Sequence, residues 1–387
     1  MPPTDKRRGC GWMKKLDKDL LSRNVVQAAE TDLAHHKAFG SAYWVMQDGE
    51  TVYERCFGHT EPGGTEPVTA DTLFRLASMT KPITAFAALI LIDRGLLRLS
   101  DPVAAYLPEF RGIPNVQAAE DGTLIAIGAP VTPPTIRHIL THTSGIGSDG
   151  RKAARMTVAD KQTVADTVAF HRRMGLDFDP GTRQQYSGTG AFDVLVQIIE
   201  TVTKTDFSSF LTKEVFAPLG MRDTTFTPTA EQWARMIAMH AAADGKNTVA
   251  PMKAGCVMSD YPCTHYLGGA GLASTLRDYA AFAAMLLDRG RGLVSEDTFA
   301  LMGTPSVPEA IMPIHERWGL GVRVITKEYY EDLPVGSFGW SGAYGTHFFV
   351  DPVNRVAGVY LRNSLVDGGS GSESARNFER AVHRSFR

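Results

Sequence analysis

The sequence predicts an α+β fold, in which antiparallel strands and helices form one domain that carries a mainly helical insertion. Three observations point there. β-rich runs concentrate near the two ends of the chain, around residues 42–53 and 320–361. The middle is dominated by helical periodicity. One segment, Ser78 to Arg94, is apolar nearly all round, which marks a helix buried between other elements rather than lying on a surface. The expected division is a discontinuous sheet domain of residues 14–100 and 272–387, a helical domain of residues 101–271, and a disordered leader of residues 1–13. A cleft at the junction is the natural place for a site.

Leu16, Leu20, Val25 and Leu33 recur among charges at roughly helical spacing, so residues 14–36 read as an amphipathic helix. Ala42-Tyr-Trp-Val-Met46 and Thr51-Val-Tyr53 flank Asp48-Gly49, a hairpin signal. The apolar helix from Ser78 stops at Arg94, before Gly95. Residues 112–134 and 243–271 are so broken by Gly and Pro that they read as loops. Between them, Ala191–Thr203 and Phe207–Phe216 read as helices, and Asp278–Leu287 follows as another. Leu320–Val324, His347–Val350 and Val356–Leu361 read as strands, the last two joined at Asp351–Asn354, and a closing helix starts near Glu373.

Composition excludes several classes. Forty Lys and Arg against 42 Asp and Glu leave a net charge of −2 and no basic block, so no nucleic-acid partner is expected. The longest apolar run, Ala85–Ile92, falls far short of the roughly 20 residues that cross a bilayer. The basic residues near the start have no apolar stretch behind them, which argues against a secretory signal and for a cytoplasmic protein without a membrane partner. Four scattered cysteines make neither a disulfide framework nor a zinc site. Oligomeric state is not readable.

Chemistry concentrates at Ser78-Met-Thr-Lys81, the start of the buried helix. Serine and lysine three apart share a helix face, so the amine reaches the hydroxyl. Serine is a weak nucleophile until a neighbouring base takes its proton. A helix start also offers backbone N–H groups to an oxyanion. Tyr186 follows a turn at Asp179-Pro-Gly-Thr182, and a tyrosine beside a lysine ammonium can relay protons. Trp340-Ser-Gly-Ala343 reads as lying just ahead of a strand, where Gly342 would let a substrate approach an edge-strand backbone and Ala343 N–H would be a second oxyanion donor.

On these residues the chain resembles the serine β-lactamase, penicillin-binding protein and esterase superfamily, in its class C β-lactamase-like branch. Five motifs occur in family order: Phe74-Arg-Leu-Ala-Ser-Met-Thr-Lys-Pro82, Thr135–Gly145, Pro180-Gly-Thr with Tyr186-Ser, Pro218–Thr224 and Gly268–Thr275. The resemblance implies an antiparallel sheet flanked by helices with an inserted all-helical domain. It implies Ser78 as acylated nucleophile, Lys81 as base or proton relay, Tyr186 as second proton-transfer group, and Ser78 and Ala343 N–H as the oxyanion hole. No cofactor or metal is implied.

Two departures narrow the function. Gly188 stands where the family has an asparagine that contacts a β-lactam side-chain amide. Trp340-Ser341-Gly342 replaces Lys-Thr-Gly, whose lysine and hydroxyl recognise the penicillin carboxylate. Exchanging that ammonium for an indole removes roughly 1.5–3 kcal/mol of charged hydrogen bonding and adds an apolar wall. Trp340 is similar to what family VIII carboxylesterases show there, and to a related acyltransferase. The expected activity is hydrolysis of small, fairly hydrophobic carboxylic esters, with Trp340, Ser341, Gly342, Gly188 and Tyr344 binding substrate. The alternatives are acyl transfer to an alcohol or amine, weak β-lactam hydrolysis, or a catalytically silent ligand-binding or assembly protein.

Other patterns carry less. Gly339-Trp-Ser341-Gly-Ala343, with Asp367 and His383 after it, imitates a nucleophile elbow, but the helix an elbow needs after its serine is missing. His138 and His142 have metal-pair spacing without a third ligand and read as structural. Cys256 and Cys263 could meet across a loop, although a reducing compartment argues against a bond. Tyr266 and Trp318 are aromatic candidates for the pocket.

Overall fold

Asp17 caps the first helix, α1 (Lys18–Ala34), by accepting the Leu20 N–H. The chain then enters a hairpin of β1 (Gly40–Gln47) and β2 (Glu50–Gly58). Asp48 and Gly49 both take positive φ, 51° and 84°, as a two-residue hairpin turn requires. The molecule is described from a computed structural model that covers residues 14–253, 255–258, 261–262, 264–327 and 333–387. The expected leader, Cys10 and Cys263 lie outside the described residues.

Five further strands complete one sheet: β3 (Glu316–Trp318), β4 (Arg323–Ile325), β5 (Phe338–Ser341), β6 (His347–Asp351) and β7 (Val356–Leu361). The order is β2-β1-β7-β6-β5-β4-β3, antiparallel throughout. The sequence therefore closes on itself, with its first strand beside its last.

Both faces of the sheet are covered, which explains the unbroken apolar text of its strands. Tyr43, Val45, Phe349 and Tyr360 pack against Leu21 and Val25 of α1 and Phe378 of the last helix. On the other face, Ala42, Trp44, Phe348 and Val359 join the main core. That core contains the central helix α2 (Thr80–Asp93), α3 (Val164–Met174), α4 (Gly190–Thr203) and α5 (Leu276–Leu287). The closing helix α6 (Glu373–His383) belongs to the first face. Every residue of α2 from Thr80 to Leu91 is buried. Among the described residues no helix is long and apolar enough to cross a membrane.

Four expectations need correcting. Residues 112–134 contain a hairpin, Asn115–Ala118 with Leu124–Gly128, turning at Gly122. Residues 243–271 begin inside another, His240–Ala243 with Lys246–Val249. Its turn is Asp244-Gly245, again with positive φ at both positions. The glycines excluded a helix there but served as turns rather than marking loops. The expected strand Leu320–Val324 is instead a turn followed by β4, because Gly321 adopts φ 73° and its N–H donates to Leu140 O. A Cβ on Gly321 would stand 2.4 Å from the Ala85 Cβ of α2, so this turn is pressed onto the central helix. Finally, Trp340 and Ser341 precede β6 as expected but themselves end β5, and neither strand is at an edge: β5 lies inside the sheet between β4 and β6.

One buried cation ties α1, β7 and the C-terminal segment together. Arg362 donates to Lys37 O at 3.0 Å and to Asp367, with Asp32 3.8 Å away. Asp32 in turn accepts Tyr360 Oη and Ser374 Oγ, both at 2.8 Å. Breaking a buried charge cluster from one side strands the remaining charges. Arg362→Ala should therefore lower unfolding stability by about 3–5 kcal/mol, measured by urea denaturation; a loss below about 1 kcal/mol would mean the cluster behaves like a surface pair.

Candidate active site

Ser78 sits in a single 3₁₀ turn, Ala77–Met79, that feeds directly into α2. Ala77 takes φ 47°, a left-handed conformation that alanine adopts only when its surroundings enforce it. The enforcing contacts are specific. Asn363 clamps Arg75 from both sides, accepting its N–H and donating to its carbonyl, each at 2.9 Å. Leu76 N–H donates to Leu272 O at 2.9 Å, and Thr346 Oγ1 donates to Leu76 O at 2.8 Å. Tyr279 Oη donates to Met79 O at 2.9 Å. The nucleophile candidate is thus held by the segment just after β7, the β5–β6 turn and α5 at once.

Lys81, one turn on, is fully buried. Its Nζ lies 3.4 Å from Ser78 Oγ, 2.5 Å from Gly188 O and 2.8 Å from Gly269 O, so its three donors have three acceptors. Tyr186 presents its ring 4.8 Å from Nζ, with Phe192 at 5.4 Å. Tyr186 Oη is buried and has no hydrogen-bond partner among the described residues. The three expected groups, far apart in sequence, therefore meet at one end of α2.

The Gly268-Gly269 pair is explained by crowding. A Cβ at Gly268 would lie 2.4 Å from Val196 Cγ2, and one at Gly269 would lie 2.7 Å from Gly188 O. Asp193 fixes this loop from α4 by accepting Gly268 N–H at 3.0 Å, while Thr84 Oγ1 donates to Gly268 O at 2.8 Å. Asp193 is itself buried beside His265, 3.6 Å away; burial pushes its carboxyl above the ordinary range.

His142 positions the phenol. Its carbonyl accepts Gln185 N–H and its Nδ1 accepts Ser187 N–H at 3.1 Å, bracketing Tyr186, and its ring packs 4.5 Å from the tyrosine ring. Burial, together with the Lys81 cation, holds its pKa well below the ordinary value. His138 instead caps its own short helix through Thr135. The two histidines have separate structural tasks.

The oxyanion candidates rest on another close approach. A Cβ on Gly342 would stand 2.2 Å from Leu76 O. The glycine thus makes room for the nucleophile turn rather than for a substrate, and Gly342 does not line the cavity. This contact brings Ala343 beside Ser78 in one cavity of about 460 Å³. Neither Ser78 N–H nor Ala343 N–H has an acceptor among the described residues.

Trp340, Trp318, Tyr186 and Met312 form the cavity's apolar wall, the two indoles 4.5 Å apart. Trp340 Nε1 has no acceptor among the described residues. Ser341 lines the cavity too. Pairing of β5 with β4 ends at Gly339, so Trp340 and Ser341 have an unpaired edge even though β5 is internal. Gly188 and Tyr344 do not line the cavity: Gly188 serves Lys81 through its carbonyl, and Tyr344 Oη lies 3.6 Å from Met258 Sδ. Tyr266 packs on Phe226 instead.

Sequence reasoning missed Glu316, Arg323, Gln184, Gly369 and Ser370, which also line the cavity. It missed the supporting Asn363, Thr346 and Asp193 as well. None of these sits in a motif with local chemistry; only the folded registers bring them in. The hydrogen-bond partner of Ser341, His347, lies six residues away and was not singled out either.

The chain is similar to several known proteins. The family model described as Beta-lactamase matches residues 25–381. Esterase EstB of Burkholderia gladioli is 30% identical, with 92% of this chain and 94% of that protein covered. Acyltransferase calJ of Penicillium decumbens is 26% identical over 81% of each. Among solved structures, EstCE1, described as a hydrolase with promiscuous acyltransferase activity, superposes with a TM-score of 0.78 at 24% identity, covering 95% of this chain and 99% of its own.

Because Gly342 sets the distance between the two free N–H groups, Gly342→Ala should cost at least about 10²-fold in kcat/KM for any acyl substrate, with the circular dichroism spectrum unchanged. Retained activity would disconnect that turn from the chemistry.

Proposed function

The chain belongs to the β-lactamase family of serine hydrolases and acyltransferases, and from that premise we propose that it hydrolyses small, fairly hydrophobic carboxylic esters through an acyl-Ser78 intermediate. The observation that carries this reading is the shared cavity: a serine hydroxyl 3.4 Å from a buried amine, with two unpaired N–H groups alongside and two indoles as its wall.

In the proposed sequence, Ser78 Oγ attacks the ester carbonyl and its proton passes toward Lys81 and Tyr186. The tetrahedral oxyanion lies against the Ser78 and Ala343 N–H groups. The alcohol departs with the relayed proton; water then attacks the acyl-enzyme, surrenders a proton to the same pair, and releases the acid. The unpaired Tyr186 hydroxyl suits this role, since a partner arriving with substrate satisfies a group the free protein leaves bare.

The aromatic wall supports neutral, apolar acyl or alcohol groups over the carboxylate of a penicillin. A second reading, transfer of the acyl group to an alcohol, is supported by the activities named for EstCE1 and calJ and uses the same intermediate.

Ser78→Ala should abolish p-nitrophenyl butyrate hydrolysis and fluorophosphonate labelling; retained turnover removes the assignment. Lys81→Ala and Tyr186→Phe should each lower kcat by roughly 10²–10⁴ in the same assay. At Gly188 a Cβ would meet nothing within 4 Å, so Gly188→Asn should fold with an unchanged Tm. It should also raise the ratio of nitrocefin to ester turnover; a fall in that ratio counts against the assigned role of the missing asparagine.

A further inference from the structure

Ser341 is bound into a chain of buried groups that the proposed acyl chemistry does not use. Its Oγ lies 2.8 Å from His347 Nδ1. The other ring nitrogen, Nε2, lies 3.1 Å from Glu379 Oε1, in ion-pair range though without the alignment of a full hydrogen bond. Glu379 also pairs with Arg323, whose second branch reaches Glu316 at 3.2 Å. Ser341, His347 and Glu379 are all more than nine-tenths buried, while Ser341, Arg323 and Glu316 line the cavity.

The hydrogen positions follow from the charges. Burial alone would push the Glu379 carboxyl up, but Arg323 and His347 together hold it below its ordinary value, so it is ionised. An ionised carboxylate beside Nε2 draws the ring proton there. Burial keeps His347 below its ordinary pKa against the pull of Glu379, so the ring is neutral and Nδ1 is an acceptor. Ser341 must then spend its one proton on His347. What remains to face the cavity is lone pairs. Around it Arg323 bridges two carboxylates, Glu316 and Glu379, while Arg376 of the last helix also acts on Glu379.

We propose that Ser341, oriented by His347 and Glu379, is an acceptor subsite that takes a hydroxyl or ammonium carried by the substrate apart from its scissile ester. The proposal rests on the acyl-Ser78 reading and names the substrate class for it: esters bearing a hydrogen-bond donor. It reverses the polarity that the resemblance assigns to this position, where a lysine and a hydroxyl donate to a carboxylate. The subsite cannot bind the hydroxyl that attacks or leaves, whose proton belongs to the Lys81–Tyr186 relay. Ser341 is thus a specificity residue, and His347 and Glu379 are positioning residues that act through it.

The test compares kcat/KM for two matched ester pairs: monobutyrin against butyl butyrate, with the donor on the alcohol side, and methyl 3-hydroxybutyrate against methyl butyrate, with the donor on the acyl side. The ratio within a pair cancels losses of folded or active enzyme. In the wild type at least one pair should favour the donor-bearing ester by about tenfold, the worth of one good hydrogen bond. Ser341→Ala should collapse that ratio to within about twofold. His347→Gln should do the same, because glutamine can still donate toward Glu379 but leaves Ser341 without its acceptor, freeing the hydroxyl to rotate. Ser341→Thr, which keeps a hydroxyl, should preserve the ratio. Two pairs near unity in the wild type, or a ratio untouched by Ser341→Ala and His347→Gln, overturns the subsite while leaving acyl-Ser78 intact. Fluorophosphonate labelling of Ser341 in Ser78→Ala would make it a nucleophile and also overturns it. No turnover of any ester and no label on Ser78 overturns both readings together.

Discussion

The contact on which the rest depends is the approach of Gly342 to the carbonyl of Leu76. A single methyl at that glycine would occupy the carbonyl's place, 2.2 Å away. The sheet and the central helix meet there at backbone range, and Thr346 locks the junction by donating to the same carbonyl. Two N–H groups from remote parts of the chain face one cavity only because no side chain separates them. Side-chain chemistry alone would not achieve this: backbone donors are fixed in direction, so the strand turn and the nucleophile turn must be placed as whole backbones.

A second constraint follows from burying Lys81. A buried cation is costly unless every donor is met. Here the acceptors are two carbonyls and the Ser78 hydroxyl, with no carboxylate in contact among the described residues. A compensating acid, Asp193, acts one step removed, holding Gly268 beside the Gly269 whose carbonyl accepts from the ammonium. That separation matters chemically. The amine is oriented toward Ser78 by neutral backbone carbonyls, which fix its direction without adding a charge of their own beside the serine.

Much of this was legible from residue types. The Asp48-Gly49 hairpin, the buried helix and the Ser-x-x-Lys start each follow from local rules, and the folded chain brings Ser78, Lys81 and Tyr186 together. Asp244-Gly245 carried the same turn signal as Asp48-Gly49, but the short strands beside it, His240-Ala-Ala-Ala243 and Lys246-Asn-Thr-Val249, lack the alternating β-branched and aromatic pattern that marks a hairpin. The supporting residues were not legible at all. Asn363 clamps Arg75 across a separation of 288 positions, and Glu379 reaches His347 from the last helix. Such partners are set by sheet register and helix placement, which no window of sequence encodes. Gly342 was singled out, yet for the wrong neighbour: its missing side chain admits protein backbone rather than substrate.

The cavity is electrically two-ended, and this follows from which element supplies each end. Helix α2 contributes its N-terminal backbone and Lys81, a cation, beside the scissile position. Strands β3 and β4 contribute Glu316 and Arg323, and α6 adds Glu379 behind them with Arg376 acting on it, so the charges there are paired. Between the two ends stand Trp318 and Trp340, which exclude water and so strengthen both fields. A small carboxylate entering such a cavity would find Arg323 already paired with Glu316 and Glu379, while a neutral ester can place its carbonyl at the helix end without needing either charge. The substitution of an indole for an ammonium in Trp340-Ser341-Gly342 is therefore one part of a larger change. Without Glu379 behind His347, the indole would only remove an attraction for carboxylates. With it, the same strand end presents the Ser341 lone pairs, and discrimination comes from their repulsion of a carboxylate as well as from lost contacts.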